Sequence, residues 1–284
     1  MVYPPPPSTP TIDSHHHFWR YRPEEYGWID DSMAEIRRDF LPEELQNEIR
    51  IASIAGVISV QARQSVEETR WLLELAGAHD FIRGVVGWAP LTDPAAPRLL
   101  EEWRAAHPKL RGVRHILQGE PDERYMLRDD FNRGVAALAG LGLAYDLLIY
   151  ERHLPTAIEF VDRHPDQVFV LDHIGKPRIR EHAIEPWRKN LRELARRPNV
   201  YCKLSGMTTE AAPGWTEVQL RAFFQMVLEI FGPTRLMFGS DWPVCVPTCS
   251  YARWMNLTRG WTQHLTEGER RWIFGGAAVA AYGL

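Results

Sequence analysis

Residues 143–173 read LAYDLLIYERHLPTAIEFVDRHPDQVFVLDH. Leu143–Leu148 is a short apolar run, His153–Arg163 is amphipathic at a helical period, and Val168–Asp172 is apolar again. His164-Pro165 ends the middle segment, because proline restricts the backbone of the residue before it. The stretch is therefore a strand, a crossover helix and a second strand, and it ends on a histidine.

The same alternation extends in both directions. Strands are expected near Thr11–Ser14, Ala55–Gln61, Arg83–Trp88, Gly112–Ile116, Leu143–Leu148, Val168–Asp172, Val200–Lys203 and Leu236–Gly239. Between them lie helical segments at Val66–Ala78, Pro94–Ala106, Asp129–Leu141, His153–Arg163, Glu185–Ala195 and Glu217–Phe231. Eight strand-helix units match a closed α/β structure, a (β/α)8 TIM barrel, rather than an open doubly wound sheet. Residues 11–284 are read as one domain, since no composition shift marks a second. Residues 1–10, rich in proline, are read as a flexible arm. The long segment from Phe18 to Asn47 is expected to be a loop after strand one that covers the barrel mouth. Its aromatic residues Trp19, Tyr21, Tyr26 and Trp28 should pack on the barrel or meet substrate.

A net charge of −4 offers no general attraction for nucleic acid or an anionic membrane. A small-molecule ligand fits better. No apolar run approaches the roughly 20 residues that span a bilayer, and the N-terminus lacks the pattern of a signal peptide. The expected location is the cytoplasm, and a homo-oligomer is compatible with the sequence. Cys202, Cys245 and Cys249 form no CxxC pair and read as reduced thiols.

In a parallel barrel the residues that end the strands share one mouth, so polar groups there matter most. His15 and His17 are two apart on an extended segment and project to one face; His16 faces the other way. His173 ends the sixth strand and Asp241 follows the eighth. His15, His17, His173 and Asp241 can together hold one divalent metal ion, zinc being favoured by nitrogen donors. Arg111 and Arg114 suit a carboxylate product, but their odd spacing puts them on opposite faces of a strand. Gln61, Asp146 and Lys203 lie near strand ends, where each could bind a hydroxyl or satisfy neighbouring polar groups. Trp28 and Trp242 are pocket walls or core. Asp172 either orients a neighbour or meets substrate.

Five runs stand in order along the chain: Asp13-x-His15-x-His17-Phe18-Trp19, Arg111-Gly112-Val113-Arg114-His115, Leu171-Asp172-His173-Ile174-Gly175-Lys176-Pro177, Cys202-Lys203-Leu204-Ser205-Gly206 and Phe238-Gly239-Ser240-Asp241-Trp242-Pro243. Together they resemble the amidohydrolase superfamily, and within its amidohydrolase-2 branch the sugar lactonases of the L-fuconolactonase and L-rhamnonolactonase type. The resemblance runs from Ile12 to Leu284 with the motifs in order. It departs at Ala277, where Gly-Gly-Asn-Ala is common.

The resemblance implies a hydrolase that opens a sugar lactone to its aldonic acid, with Asp241 as general base and His173 beside it as a catalytic group. His115, within the strand-four motif, joins Trp28, Gln61, Arg111, Arg114, Asp146 and Trp242 as a substrate-binding candidate. Binuclear relatives place a carboxylated lysine at the end of strand four or five. Here those ends carry Arg114-His115 and Leu147-Leu148-Ile149, so one ion is expected, with metal-free catalysis through His and Arg as the alternative. A metal-dependent decarboxylase of the same superfamily, or a hydrolase of another small lactone of the muconolactone type, are the competing activities. A barrel that only binds a sugar acid would have no need of a positioned base.

Overall fold

The structure, a computed structural model, describes residues 5, 6 and 8–284. Eight strands form one sheet in the order β1 to β8, every adjacent pair parallel. They are β1 (Ile12–His16), β2 (Gly56–Val60), β3 (Ile82–Gly87), β4 (Leu110–His115), β5 (Ala144–Leu147), β6 (Phe169–Leu171), β7 (Val200–Leu204) and β8 (Leu236–Phe238). The sheet closes between β1 and the chain leaving β8. His15 O accepts from Asp241 N at 2.8 Å, Trp242 O from His17 N at 2.7 Å, and Phe238 O from Ser14 Oγ at 2.6 Å. This is the TIM barrel expected from the sequence.

Helices α1 (Pro42–Ile51), α2 (Val66–Ala78), α3 (Ala96–Ala106), α4 (Asp129–Gly140), α5 (Leu154–Asp162), α6 (Trp187–Leu194), α7 (Glu217–Phe231) and α8 (Tyr251–Trp261) follow the strands in turn. Side chains of the helices and the outward faces of the strands make the larger core. A short helix α9 (Glu267–Arg271) precedes α10 (Ala277–Tyr282). A smaller core lies inside the barrel, where Ile12, Ile58, Val86 and Val170 meet Ala278, Ala281 and Tyr282 of α10.

The arm expected over residues 1–10 falls partly outside the described residues, which omit 1–4 and 7; Pro5 is buried. The segment after β1 is more ordered than a plain loop. It pairs Trp19 with Phe40, forms a 3-10 turn over residues 31–36, and runs into α1. Trp19 lies with its ring centroid 5.8 Å from that of Tyr26, tilted, and 5.5 Å from that of Phe40, and all three belong to the core around the barrel. Trp28 is the exception and remains 40% exposed. Among the described residues no helix is long and apolar enough to cross a membrane.

Candidate active site

β1 does not alternate cleanly. Asp13 pairs with Val57 but His16 pairs with Ser59, so three steps on β1 match two on β2. The extra residue is a β-bulge, which reverses the side-chain phase of the strand. Ile12 points into the barrel, and beyond the bulge His15 and His17 point inward at the mouth. His16 faces outward, where its Nε2 lies 2.9 Å from Ser59 Oγ. Asp13 holds the bulge: its Oδ1 accepts from His15 N at 3.1 Å and Ser240 N at 2.9 Å, and its Oδ2 accepts from the Tyr251 hydroxyl at 3.0 Å. Burial pushes the Asp13 carboxyl up to about 6.

The other two groups arrive on left-handed backbone. His173 (φ 52°), Ile174 (φ 52°), Gly175 (φ 74°) and Lys176 (φ 46°) form a left-handed turn after β6, and Asp241 has φ 59°. Each non-glycine residue in that region costs roughly 1–2 kcal/mol, and such strain concentrates at functional sites. The turn aims His173 at His15, with ring centroids 4.5 Å apart, and its Nδ1 lies 2.9 Å from Ser205 Oγ.

His15, His173 and Asp241 each offer a ligand atom within 4.8 Å of the others, and all three are buried. His17 Nε2 lies 3.2 Å from His15 Nε2 and 3.5 Å from Asp241 Oδ1. His17 Nδ1 is 2.8 Å from Val60 O. A carbonyl only accepts, so that nitrogen carries the proton and Nε2 turns a lone pair toward the cluster. This is the tautomer a metal requires, and the four residues fit a divalent ion.

Burial holds the His15 and His173 imidazoles below their ordinary range, His173 at about 4. Burial alone would raise Asp241, but His173 and His17 beside it outweigh that effect and keep it below the usual carboxylate range. At neutral pH His15 and His173 are thus neutral imidazoles beside an ionised carboxylate. One consequence concerns stability. Unfolded His173 takes a proton below about 6.5 while the folded residue resists it until about 4, so acid favours unfolding. Chemical denaturation should show the stability of wild type, relative to His173→Asn, falling by about 3 kcal/mol between pH 7 and pH 4. A difference that stays flat over this range would contradict a shielded imidazole.

His17, His173 and Asp241 lie at the base of a cavity of about 760 Å³, whose wall includes Trp28, Arg114, Gln118, Tyr150, Lys176 and Trp215. Of the substrate-binding candidates, Trp28 and Arg114 line this cavity. Arg114 is pinned by Asp172 at 2.8 Å and by the Gln61 carbonyl, which makes Gln61 its support. Asp146 lies fully buried beneath the cluster. The structure turns three candidates away from the cavity. Arg111 sits at the opposite end of β4, against Gly84 and Gly283, because its odd spacing from Arg114 and its early strand position place it there. His115 follows Arg114 and so faces outward, bonded to Glu120 at 2.6 Å and stacked on Tyr125. Trp242 is 4% exposed and packs on Phe18 and Phe40. Lys176, Ser205 and Trp215 escaped the sequence reading, although Lys176 and Ser205 stand in the runs quoted above.

A closed parallel barrel with a buried imidazole and carboxylate cluster at the carboxyl ends of its strands defines an enzyme of the TIM-barrel class. The family described as Amidohydrolase matches residues 12–284, and the chain belongs to it. It is 45% identical to an L-fucono-1,5-lactonase of Burkholderia multivorans over 96% of both chains. It is 36% identical to an L-fucono-1,5-lactonase of Burkholderia ambifaria, over 82% of this chain and 80% of that one. A crystal structure of an amidohydrolase from Burkholderia multivorans with bound zinc superposes with a TM-score of 0.93 at 43% identity, covering 96% of this chain and 99% of that one.

Proposed function

We propose that the protein hydrolyses a sugar lactone of the L-fucono-1,5-lactone kind to its aldonic acid. The observation that carries this reading is Asp241, an ionised, 3% exposed carboxylate set among His15, His17 and His173 at the base of a sugar-sized cavity. The substrate class comes from the relatives that share almost the whole chain.

His15, His17, His173 and Asp241 would hold zinc, which when bound supplies Lewis-acid polarisation of the lactone carbonyl. Asp241 Oδ1 faces the His15 and His17 rings, which leaves Oδ2 for proton transfer. It takes a proton from the water that attacks the carbonyl carbon. As the bond from that carbon to the ring oxygen breaks, the same carboxylic acid returns the proton to the departing oxygen. His173, held by Ser205, stays neutral and contributes orientation rather than charge. Arg114, paired with Asp172, and Lys176, paired with Glu210, present cationic hydrogen-bond donors to the cavity that suit the product carboxylate. Gln118 Oε1 is buried without a partner and accepts a substrate hydroxyl. The exposed face of Trp28 covers the sugar ring. Trp28→Ala should raise KM about 10-fold while leaving kcat within about twofold, since such a contact is made equally in ground and transition states.

The deciding assay is proton release from a panel of aldono-lactones, with L-fucono-1,5-lactone included. Activity should vanish on chelation and return with zinc. A preparation loaded with zinc or manganese that opens no lactone sinks the proposal. Carbon dioxide evolved from a hydroxybenzoate would move the protein to the decarboxylases.

A further inference from the structure

Beneath the histidines the barrel holds four charges. Lys203 on β7 has no solvent exposure, and its Nζ lies 2.5 Å from Asp146 Oδ2, 3.0 Å from Asp172 Oδ1 and 3.1 Å from His15 Nδ1. Asp172 Oδ2 pairs with Arg114 at 2.8 Å. Two carboxylates and two cations balance, so the set is neutral without help from the site above it. Dehydrating such ions costs several kcal/mol each, and apolar side chains of equal volume often stabilise as well or better. A gain in stability therefore does not account for this arrangement; its fixed geometry does.

The chain reaches this set from its far end. Tyr282, the last residue of α10, directs its hydroxyl to Asp146, 2.9 Å from Oδ1 and 3.0 Å from Oδ2. It is 1% exposed, and its ring belongs to the inner core. Asp146 Oδ1 has no other hydrogen-bond partner among the described residues, so the hydroxyl fixes how this carboxylate is turned. The carboxylate in turn fixes Lys203, which also pairs with Asp172 Oδ1 at 3.0 Å, and that oxygen lies 3.3 Å from His15 Nδ1, the ring nitrogen that faces away from Asp241.

We propose that Tyr282 is a positioning residue for His15, acting through Asp146, Lys203 and Asp172, so that the last turn of α10 sets the orientation of an imidazole in the active site. Without the hydroxyl, Asp146 turns toward Lys203 alone. Lys203 follows this counterion and draws away from Asp172, and the Asp172 carboxylate that faces His15 Nδ1 shifts with it. The consequence for turnover rests on the lactonase reading; the consequence for the His15 ring does not.

Tyr282→Phe keeps the ring and its packing and removes the hydroxyl alone. Supporting partners of this kind are worth about 10- to 100-fold in activity. The expected result is kcat at least about 10-fold lower, KM within about twofold of wild type, and shifted 15N imidazole resonances of His15 in the metal-free protein, assigned with His15→Asn. Tyr145→Phe is the control. The Tyr145 hydroxyl is also buried, one residue from Asp146, but its ring belongs to the outer core and it makes no bond to Asp146, Lys203 or Asp172 among the described residues, so its loss should move neither readout. Unchanged His15 resonances in Tyr282→Phe, or equal shifts in Tyr145→Phe, would overturn the proposal. So would a drop in melting temperature with kcat unchanged. If wild type opens no lactone, the proposed activity fails, and the resonances still decide the role of Tyr282.

Discussion

Asp241→Asn should lower kcat for lactone opening by about 10²- to 10⁴-fold, the range general acid and base catalysis contributes, with KM little changed. The amide has the carboxylate's shape but cannot accept the proton that the attacking water must lose. The backbone should not move. Asp241 has φ 59°, and asparagine is among the few residues that adopt this region readily. The hydrogen bond from Asp241 N to His15 O is a main-chain bond and survives the change. Steady-state kinetics with proton release as the readout, and circular dichroism to verify folding, would check both parts. Retention of more than a third of wild-type kcat would remove Asp241 from the proton path.

Gly206→Ala should be nearly as damaging, although residue 206 carries no chemistry. Gly206 has φ +66°, and a methyl group there would meet the His173 ring at 2.6 Å from Cγ and Nδ1. The ring must give way, and in moving it breaks its contact with Ser205 on the same turn and its edge contact with the His15 ring. A displacement of about 1 Å in a catalytic group can cost about 10²-fold in rate, and the unfavourable φ adds about 1–2 kcal/mol of destabilisation. Gly232→Ala separates the two effects. Gly232 has φ +68° with nothing within 4 Å of an added methyl, so it should lose the backbone contribution and keep its activity. Equal activity in the two variants would show that His173 tolerates movement.

The fold was largely legible in the chain. Parallel strands buried on both faces leave continuous apolar runs, and amphipathic helices between them leave a different period, so Leu143–Leu148 and Val168–Asp172 announce themselves. The short last helices were not legible, because Ala277–Tyr282 is apolar throughout and carries neither period clearly. In the site, alternation chose His15 and His17 over His16 and was right about their face. It could not show the bulge that puts them there, since the extra residue exists only relative to β2. Strand-end position brought Arg114 to the cavity and promised as much for His115, which adjacency on the strand sends outward.

Local chemistry in the sequence thus determined which side chains could form a site: imidazoles two apart on a strand, a histidine at a strand end, and an aspartate after the last strand. Tertiary structure alone decided which of them meet. Tyr282 carries no sequence signal of function and Lys203 only its place near a strand end, because their role depends on Asp146, which lies 57 residues from Lys203 and 136 from Tyr282 along the chain. Closing the barrel brings all three, each fully buried, within hydrogen-bond reach.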